Sequence, residues 1–94
     1  MATFVMLGKY TPQALADLSP NRTDKAVALI KKHKGELVSM YAALGQNDLV
    51  LILEFPGVKE AMQASIALTK MTGIGFNTSP AMPVDEFDKL TVGL

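Results

Sequence analysis

The sequence predicts an α+β fold whose strands and helices follow one another in the order β-α-β-β-α-β. Four short runs are rich in β-branched, aromatic and other apolar residues, which is typical of strands. Two longer segments carry apolar residues at the spacing of amphipathic helices. Proline or glycine stands at most of the junctions and marks where elements end. The length of 94 residues predicts a single domain over residues 1–94.

The first half of the predicted fold is a strand, a turn and a helix. Ala2 to Tyr10 predicts the first strand, and Ala14 to Leu18 predicts a turn or a short helical piece. Ser19 is a favoured N-cap residue and Pro20 a favoured first helical residue, so the helix begins there. Its apolar stripe consists of Thr23, Ala26, Val27, Leu29 and Ile30. Gly35 follows a lysine-rich last turn and predicts the end of the helix.

Two strands in the middle of the chain predict a hairpin. They run from Glu36 to Leu44 and from Asp48 to Phe55. Gly45-Gln46-Asn47 forms the short connection, in which glycine and asparagine accept a positive φ. Pro56-Gly57 then breaks the second of these strands.

The last part of the chain predicts a second helix and a final strand. Val58 to Thr72 has helical spacing, and Gly73 ends it. This helix is apolar almost all round, which predicts burial on more than one side. Ile74 to Met82 is the last strand, where Pro80 restricts it to a sheet edge or a bulge. Asp85 to Leu90 forms at most a short C-terminal helix.

This order of elements predicts a ferredoxin-like sandwich, a four-stranded antiparallel sheet with both helices on one face. Alternation along the strands then assigns residues to the two faces. The face toward the helices would carry Phe4, Met6, Val38, Met40, Leu49, Leu51, Leu53 and Phe76. The other face would also carry large apolar residues, namely Val5, Leu7, Leu37, Val50 and Ile52. Because monomers avoid contiguous apolar patches, this face predicts that copies of the chain pair sheet to sheet, as a homodimer or higher oligomer.

The composition excludes several classes of site and partner. The chain has no cysteine, so disulfides, iron–sulfur clusters and thiolate metal sites are absent. Its single histidine, His33, lies among three lysines, where a metal cation is unfavourable, so we expect no metal and no cofactor. Nine basic and nine acidic residues cancel, which gives no general attraction to nucleic acid. No apolar run approaches the roughly 18–20 residues of a membrane span, so we expect a cytoplasmic protein without a membrane partner.

A set of polar residues on the face away from the helices forms the candidate ligand-binding site. Its members are Lys9, Ser39, Tyr41, Asp48, Glu54, Asn77 and Ser79. Around a small apolar cavity they can orient a substrate, and Glu54 or Tyr41 is the candidate proton-transfer group. In the alternative interpretation Glu54 lies near solvent or pairs with Lys9, Tyr41 is a packed ring, and Asp48 belongs only to the hairpin turn.

The chain resembles the GYD domain family over nearly its whole length, from Thr3 to Leu90. The resemblance rests on four segments, which are Lys9-Tyr10-Thr11, Gly45-Gln46-Asn47-Asp48, the strand 48–54 and the ending 81–87. In the Gly-Tyr-Asp signature of the family, Gly45 and Asp48 fit, and Asn47 stands where tyrosine is expected. The resemblance implies a dimeric α+β barrel, in which the sheets of two copies face each other. Related barrels include cofactor-independent monooxygenases, isomerases, haem enzymes and amino-acid-sensing domains, and a shared fold does not choose among them.

Three functions remain open from the sequence. The first is a small homodimeric module that binds a small, partly apolar ligand between the sheets. The second is a cofactor-independent enzyme, similar to monooxygenases or isomerases, that acts on small organic substrates in the same cavity. The third is a structural or interaction module whose polar residues only satisfy the interface.

Overall fold

The computed structural model describes residues 1–94 and confirms the predicted β-α-β-β-α-β order, with two short helices added. The elements are β1 (Ala2–Lys9), α1 (Pro12–Ala16), α2 (Pro20–Lys32), β2 (Glu36–Ala42), β3 (Leu49–Phe55), α3 (Val58–Thr72), β4 (Gly75–Ala81) and α4 (Val84–Leu90). The helix α1 is the short helical piece, one of the two alternatives predicted before Ser19, and α4 is the short C-terminal helix.

The four strands form one antiparallel sheet in the order β2-β3-β1-β4, and the long helices α2 and α3 pack on one side of it. We call this side the helix face and the other side the open face. The core lies between the helices and the helix face, and its largest fully buried side chains are Phe55, Met6, Ile30, Leu53 and Leu68. The architecture is the predicted α+β, ferredoxin-like one. Pro80 lies in β4, which is an edge strand as expected.

Helix α2 begins as predicted but ends differently. The Ser19 hydroxyl accepts the Arg22 N–H at 3.2 Å, and Pro20 is in the first turn. At the other end, Lys34 and not Gly35 takes the left-handed conformation, with a φ of 64°. The Gly35 N–H then donates to the Ile30 carbonyl at 2.9 Å, as in a Schellman motif. Glycine is required at position 35 for a steric reason and not for its backbone conformation, because a Cβ there would collide with the Phe55 ring.

Helix α3 has the predicted bounds, but it is buried on one side only. It ends at Gly73, which has a φ of 74° as a left-handed cap. The small residues Ala61 and Ala64 face the sheet and let the helix approach closely. A row of larger residues is exposed, namely Val58, Met62, Ile66 and Met71. The expected burial on several sides is therefore wrong for the single chain, because only one layer packs against this helix.

Strand β2 contains a bulge that changes the predicted faces. Leu37 pairs with Leu53 and Ser39 pairs with Ile52, so Val38 is an extra residue between them. Leu37 therefore packs against the core, while Val38 is 58% exposed. Each of these two residues thus lies on the face opposite to the one predicted from strict alternation, which cannot anticipate a bulge.

The β2–β3 connection and the C-terminal helix complete the fold. The connection is longer than predicted and covers residues 43–48. No residue in it has a positive φ, so Gly45 and Asn47 do not use the left-handed conformation that they can accept. Every residue of α4 is exposed, including the apolar Val84, Phe87 and Leu90. None of the helices combines the length and the apolar character that a membrane crossing requires.

Candidate functional site

The centre of the open face is a block of four apolar side chains. Val5 pairs with Ile52, and Leu7 pairs with Val50, so the four lie in two adjacent rows on β1 and β3. Each is only partly buried, since no helix covers this side of the sheet. We call these four residues the apolar block. A contiguous uncovered block of this kind is typical of an interaction surface or a ligand-binding surface.

Four of the predicted site residues border the apolar block on its two sides. Ser39 and Tyr41 lie on β2 opposite Ile52 and Val50, and Ser79 and Asn77 lie on β4 opposite Val5 and Leu7. Tyr41 is 64% exposed. None of these four side chains makes a hydrogen bond within the chain. Their hydroxyl and amide groups are therefore available to a ligand or to a second molecule.

Glu54 lies at one end of the open face, away from the other candidate groups. Its neighbours across the sheet are Thr3 on one side and Glu36 on the other, so two carboxylates stand opposite each other. Tyr41 lies opposite Val50, which is four positions from Glu54 along β3. At the usual rise per residue of a strand, Tyr41 and Glu54 are roughly 13 Å apart. The two candidate proton-transfer groups therefore do not contact each other within one chain.

Lys9 and Asp48 form an ion pair at the opposite end of the sheet. The Lys9 ammonium lies 3.2 Å from Asp48 Oδ2 and donates to the Gly45 carbonyl at 2.9 Å. The alternative pairing of Lys9 with Glu54 is wrong, because the register separates these residues by roughly 20 Å. The Asp48 side chain also accepts the Tyr10 N–H at 3.0 Å.

These contacts fix the end of β1 to the β2–β3 connection. Asp48 is only 7% exposed. The Tyr10 N–H is the largest influence on the pKa of Asp48 and lowers it from the ordinary 3.8; partial burial opposes this, and the Lys9 ammonium lowers the pKa further. Asp48 therefore carries its charge in a structural contact. Tyr10 is not among the predicted site residues, because a backbone donor leaves no signal in the side-chain pattern.

The open face therefore brings together four of the seven predicted site residues around one apolar surface, and places the other three at its ends. No three histidine, cysteine or carboxylate side chains come together as metal ligands would. The arrangement can contact an apolar group and offer neutral hydrogen-bonding groups on both sides of it.

Comparisons with known proteins give one family and one fold. The family model of the GYD domain matches residues 4–91. The leucine response regulatory protein LrpA of Mycobacterium tuberculosis has a similar structure, with a TM-score of 0.57 and 12% identity over 87% of this chain and 51% of that one. A second crystal structure, of a glutamate-to-alanine mutant, has a TM-score of 0.57 and 13% identity over 87% of this chain and 50% of its own. This chain thus spans about half the length of each of these proteins. No curated protein matches the sequence.

Proposed function

The chain belongs to the GYD domain family, and we propose that it is a homodimeric protein that binds a small, partly apolar ligand between the open faces of two sheets. The observation that carries this proposal is the uncovered apolar block. Val5, Leu7, Val50 and Ile52 form a contiguous surface that water would otherwise contact. A second copy is the simplest cover, because a two-fold axis places the same surface opposite itself.

The residues that border the apolar block favour a cavity between the two sheets rather than a fully packed interface. Packed sheets lie about 10 Å apart, and long side chains normally fill that space. Here the bordering side chains on the β4 edge are short, since Asn77 and Ser79 stand there. Between the facing blocks, a ligand with an apolar body would leave its polar ends near Tyr41 and Asn77. Three strand spacings, or roughly 14 Å, separate these two edges, which limits the ligand to a small molecule.

The similarity to LrpA agrees with this proposal. The name of that protein states a response to leucine, a small molecule with an apolar side chain. The likeness concerns the fold and about half of that protein, so the ligand of this chain is proposed from its own residues.

No observation favours the enzymatic alternative over binding. General acid–base catalysis needs a proton-transfer group within hydrogen-bonding reach of the reacting atoms. Glu54 lies at the end of the sheet beside Glu36 and Thr3, outside the apolar block where the ligand is proposed. Tyr41, the other candidate group, borders the apolar block, but no side chain of the chain forms a hydrogen bond with its hydroxyl that would activate it for proton transfer.

Native mass spectrometry of the purified full chain tests the assembly and the ligand together. We expect a mass near twice 10.1 kDa with a reproducible additional mass. Ile52→Lys should give a folded monomer, because a lysine there is solvated in one chain but would be buried in the dimer. Thr69→Lys introduces the same charge on the exposed side of α3 and should remain a dimer. A wild-type monomer, or a dimer that survives Ile52→Lys, would refute the proposed interface.

Two further variants test the ligand contacts. Tyr41→Phe removes one hydroxyl and Asn77→Ala removes one amide, and both should keep the dimer while reducing the additional mass. Ser65→Ala, on the helix side, is the matched control and should retain it. A dimer that never carries an additional mass would support the structural alternative instead.

A further inference from the structure

A cavity lies on the helix side of the sheet, between the helix face and the N-terminal half of α2. Its volume is about 240 Å³. Most of its lining is apolar, and the sheet, α3 and the loop before β4 supply Met40, Leu49, Leu51, Leu68, Ile74 and Phe76. An apolar cavity of about 150 Å³ already accepts benzene, so this one has room for a ring or a short alkyl chain.

One cation stands at this cavity. Arg22, the only arginine of the chain, lies in the first turn of α2, lines the cavity and is half-buried. Its Nη1 donates to the Ala14 carbonyl at 2.7 Å, and Ala14 is fully buried in α1. The guanidinium is thus held in position by the carbonyl of a buried residue.

No carboxylate of the chain neutralises this guanidinium. The only ion pair in the structure joins Lys9 and Asp48, at the end of β1. A guanidinium has five N–H donors, and only one of them is used by Ala14. A partly desolvated cation without a counterion is unfavourable, so an anion from outside the chain would stabilise it. The first turn of α2 contains no acidic residue that would repel such an anion.

We propose that this cavity binds a small carboxylic acid, whose apolar body fills the cavity and whose carboxylate pairs with Arg22. The remaining polar lining supports this orientation. The Thr72 hydroxyl is already engaged, since it donates to Leu68 and accepts from Ile74. Thr23 lies beside Arg22 in the first turn of α2, and its hydroxyl donates to the Ser19 carbonyl at 3.5 Å, so Arg22 supplies the unused donors at this end of the cavity.

This site is separate from the one proposed between the open faces. Successive residues of a strand point to opposite faces, so Met40, Leu49 and Leu51 line the cavity while Tyr41, Val50 and Ile52 lie on the open face. The cavity belongs to one chain and does not require a second copy. A failure of either proposal therefore leaves the other intact.

The test compares octanoate with octan-1-ol, which have the same chain length but differ in charge. We expect isothermal titration calorimetry to show that the wild-type chain binds octanoate about 10- to 100-fold more tightly, the range that a charge-assisted contact provides. Arg22→Gln should remove this preference and leave octanol binding unchanged. Lys25→Gln removes one charge from an exposed position of the same helix and should retain the preference.

A cavity-filling variant and a conservative variant complete the test. Ala26→Leu, on the cavity side of α2, should weaken the binding of both probes. Arg22→Lys keeps the charge and should retain part of the preference, which covers the case that Arg22→Gln does not fold. The proposal is overturned if octanoate does not bind, if both probes bind equally, or if Lys25→Gln loses as much affinity as Arg22→Gln.

Discussion

Replacing Gly35 with alanine should lower the free energy of unfolding, because the new Cβ has no space. It would lie 2.8 Å from Phe55 Cδ1 and 2.9 Å from Ile30 Cγ2, well inside van der Waals contact. Neither neighbour can move easily, since Phe55 and Ile30 are almost fully buried. The Phe55 ring also packs edge-on against Phe4, with 6.0 Å between the ring centroids.

The expected size follows from two opposing effects. Overpacking a dense core costs about 1–3 kcal/mol. Alanine also restricts the conformations of the unfolded chain, which stabilises the folded state by roughly 0.4–1 kcal/mol. Taking the middle of each range, the net loss is about 1.3 kcal/mol, which corresponds to a fall in Tm of roughly 5–10 °C for a domain of this size.

Urea unfolding followed by circular dichroism measures this loss, at one protein concentration because assembly adds to the apparent stability. Gly45→Ala is the control, since nothing lies within 4 Å of its Cβ position and its φ is not positive. Phe55→Leu removes the ring edge, so Gly35→Ala should cost less in that background than in the wild type. Equal effects of Gly35→Ala and Gly45→Ala would refute the reasoning.

Three other substitutions test local features of the structure. Lys34→Gly should raise the free energy of unfolding by roughly 0.5–1 kcal/mol, since glycine adopts the left-handed conformation of this position without strain. Lys32→Gly, inside the helix, should lower the free energy of unfolding. A lower free energy of unfolding in both variants would contradict the left-handed conformation at Lys34. Thr72→Val should cost about 1–3 kcal/mol in thermal unfolding, because it leaves a buried N–H without an acceptor, whereas Thr72→Ser should cost clearly less. The pKa of Asp48 is lowered on folding, so its carboxylate adds stability that is complete above the ordinary 3.8 and is lost as the pH falls through the lowered value. Urea midpoints between neutral and acid pH should therefore fall less steeply for Asp48→Asn than for wild type, while Asp24→Asn, which is exposed, should follow the wild type.

Local signals in the sequence determined the element order and several boundaries. Ser19 and Pro20 place the start of α2 because their capping preferences act within one turn. Gly73 determines the end of α3 because glycine adopts the left-handed conformation of the C-cap at a lower free-energy cost than other residues. The β-α-β-β-α-β order then leaves few arrangements, which is why the antiparallel sheet with helices on one face could be predicted.

The sequence also placed part of the candidate site. Strand alternation put Tyr41, Asn77, Ser39 and Ser79 on the open face, and the register confirms that they border the apolar block. The role of these residues toward a ligand stays a prediction.

Only the tertiary structure decided the contacts between distant segments. The bulge at Val38 exchanges the faces to which the first side chains of β2 point, and no local residue preference predicts it. Asp48 contacts the Tyr10 backbone across 38 positions of the chain. It also pairs with Lys9, which the strand register places far from Glu54. Such contacts depend on strand register and on how closely the layers pack, and these are set by the whole core at once. Local preferences therefore determined which elements form in this chain, while packing between them determined which side chains meet.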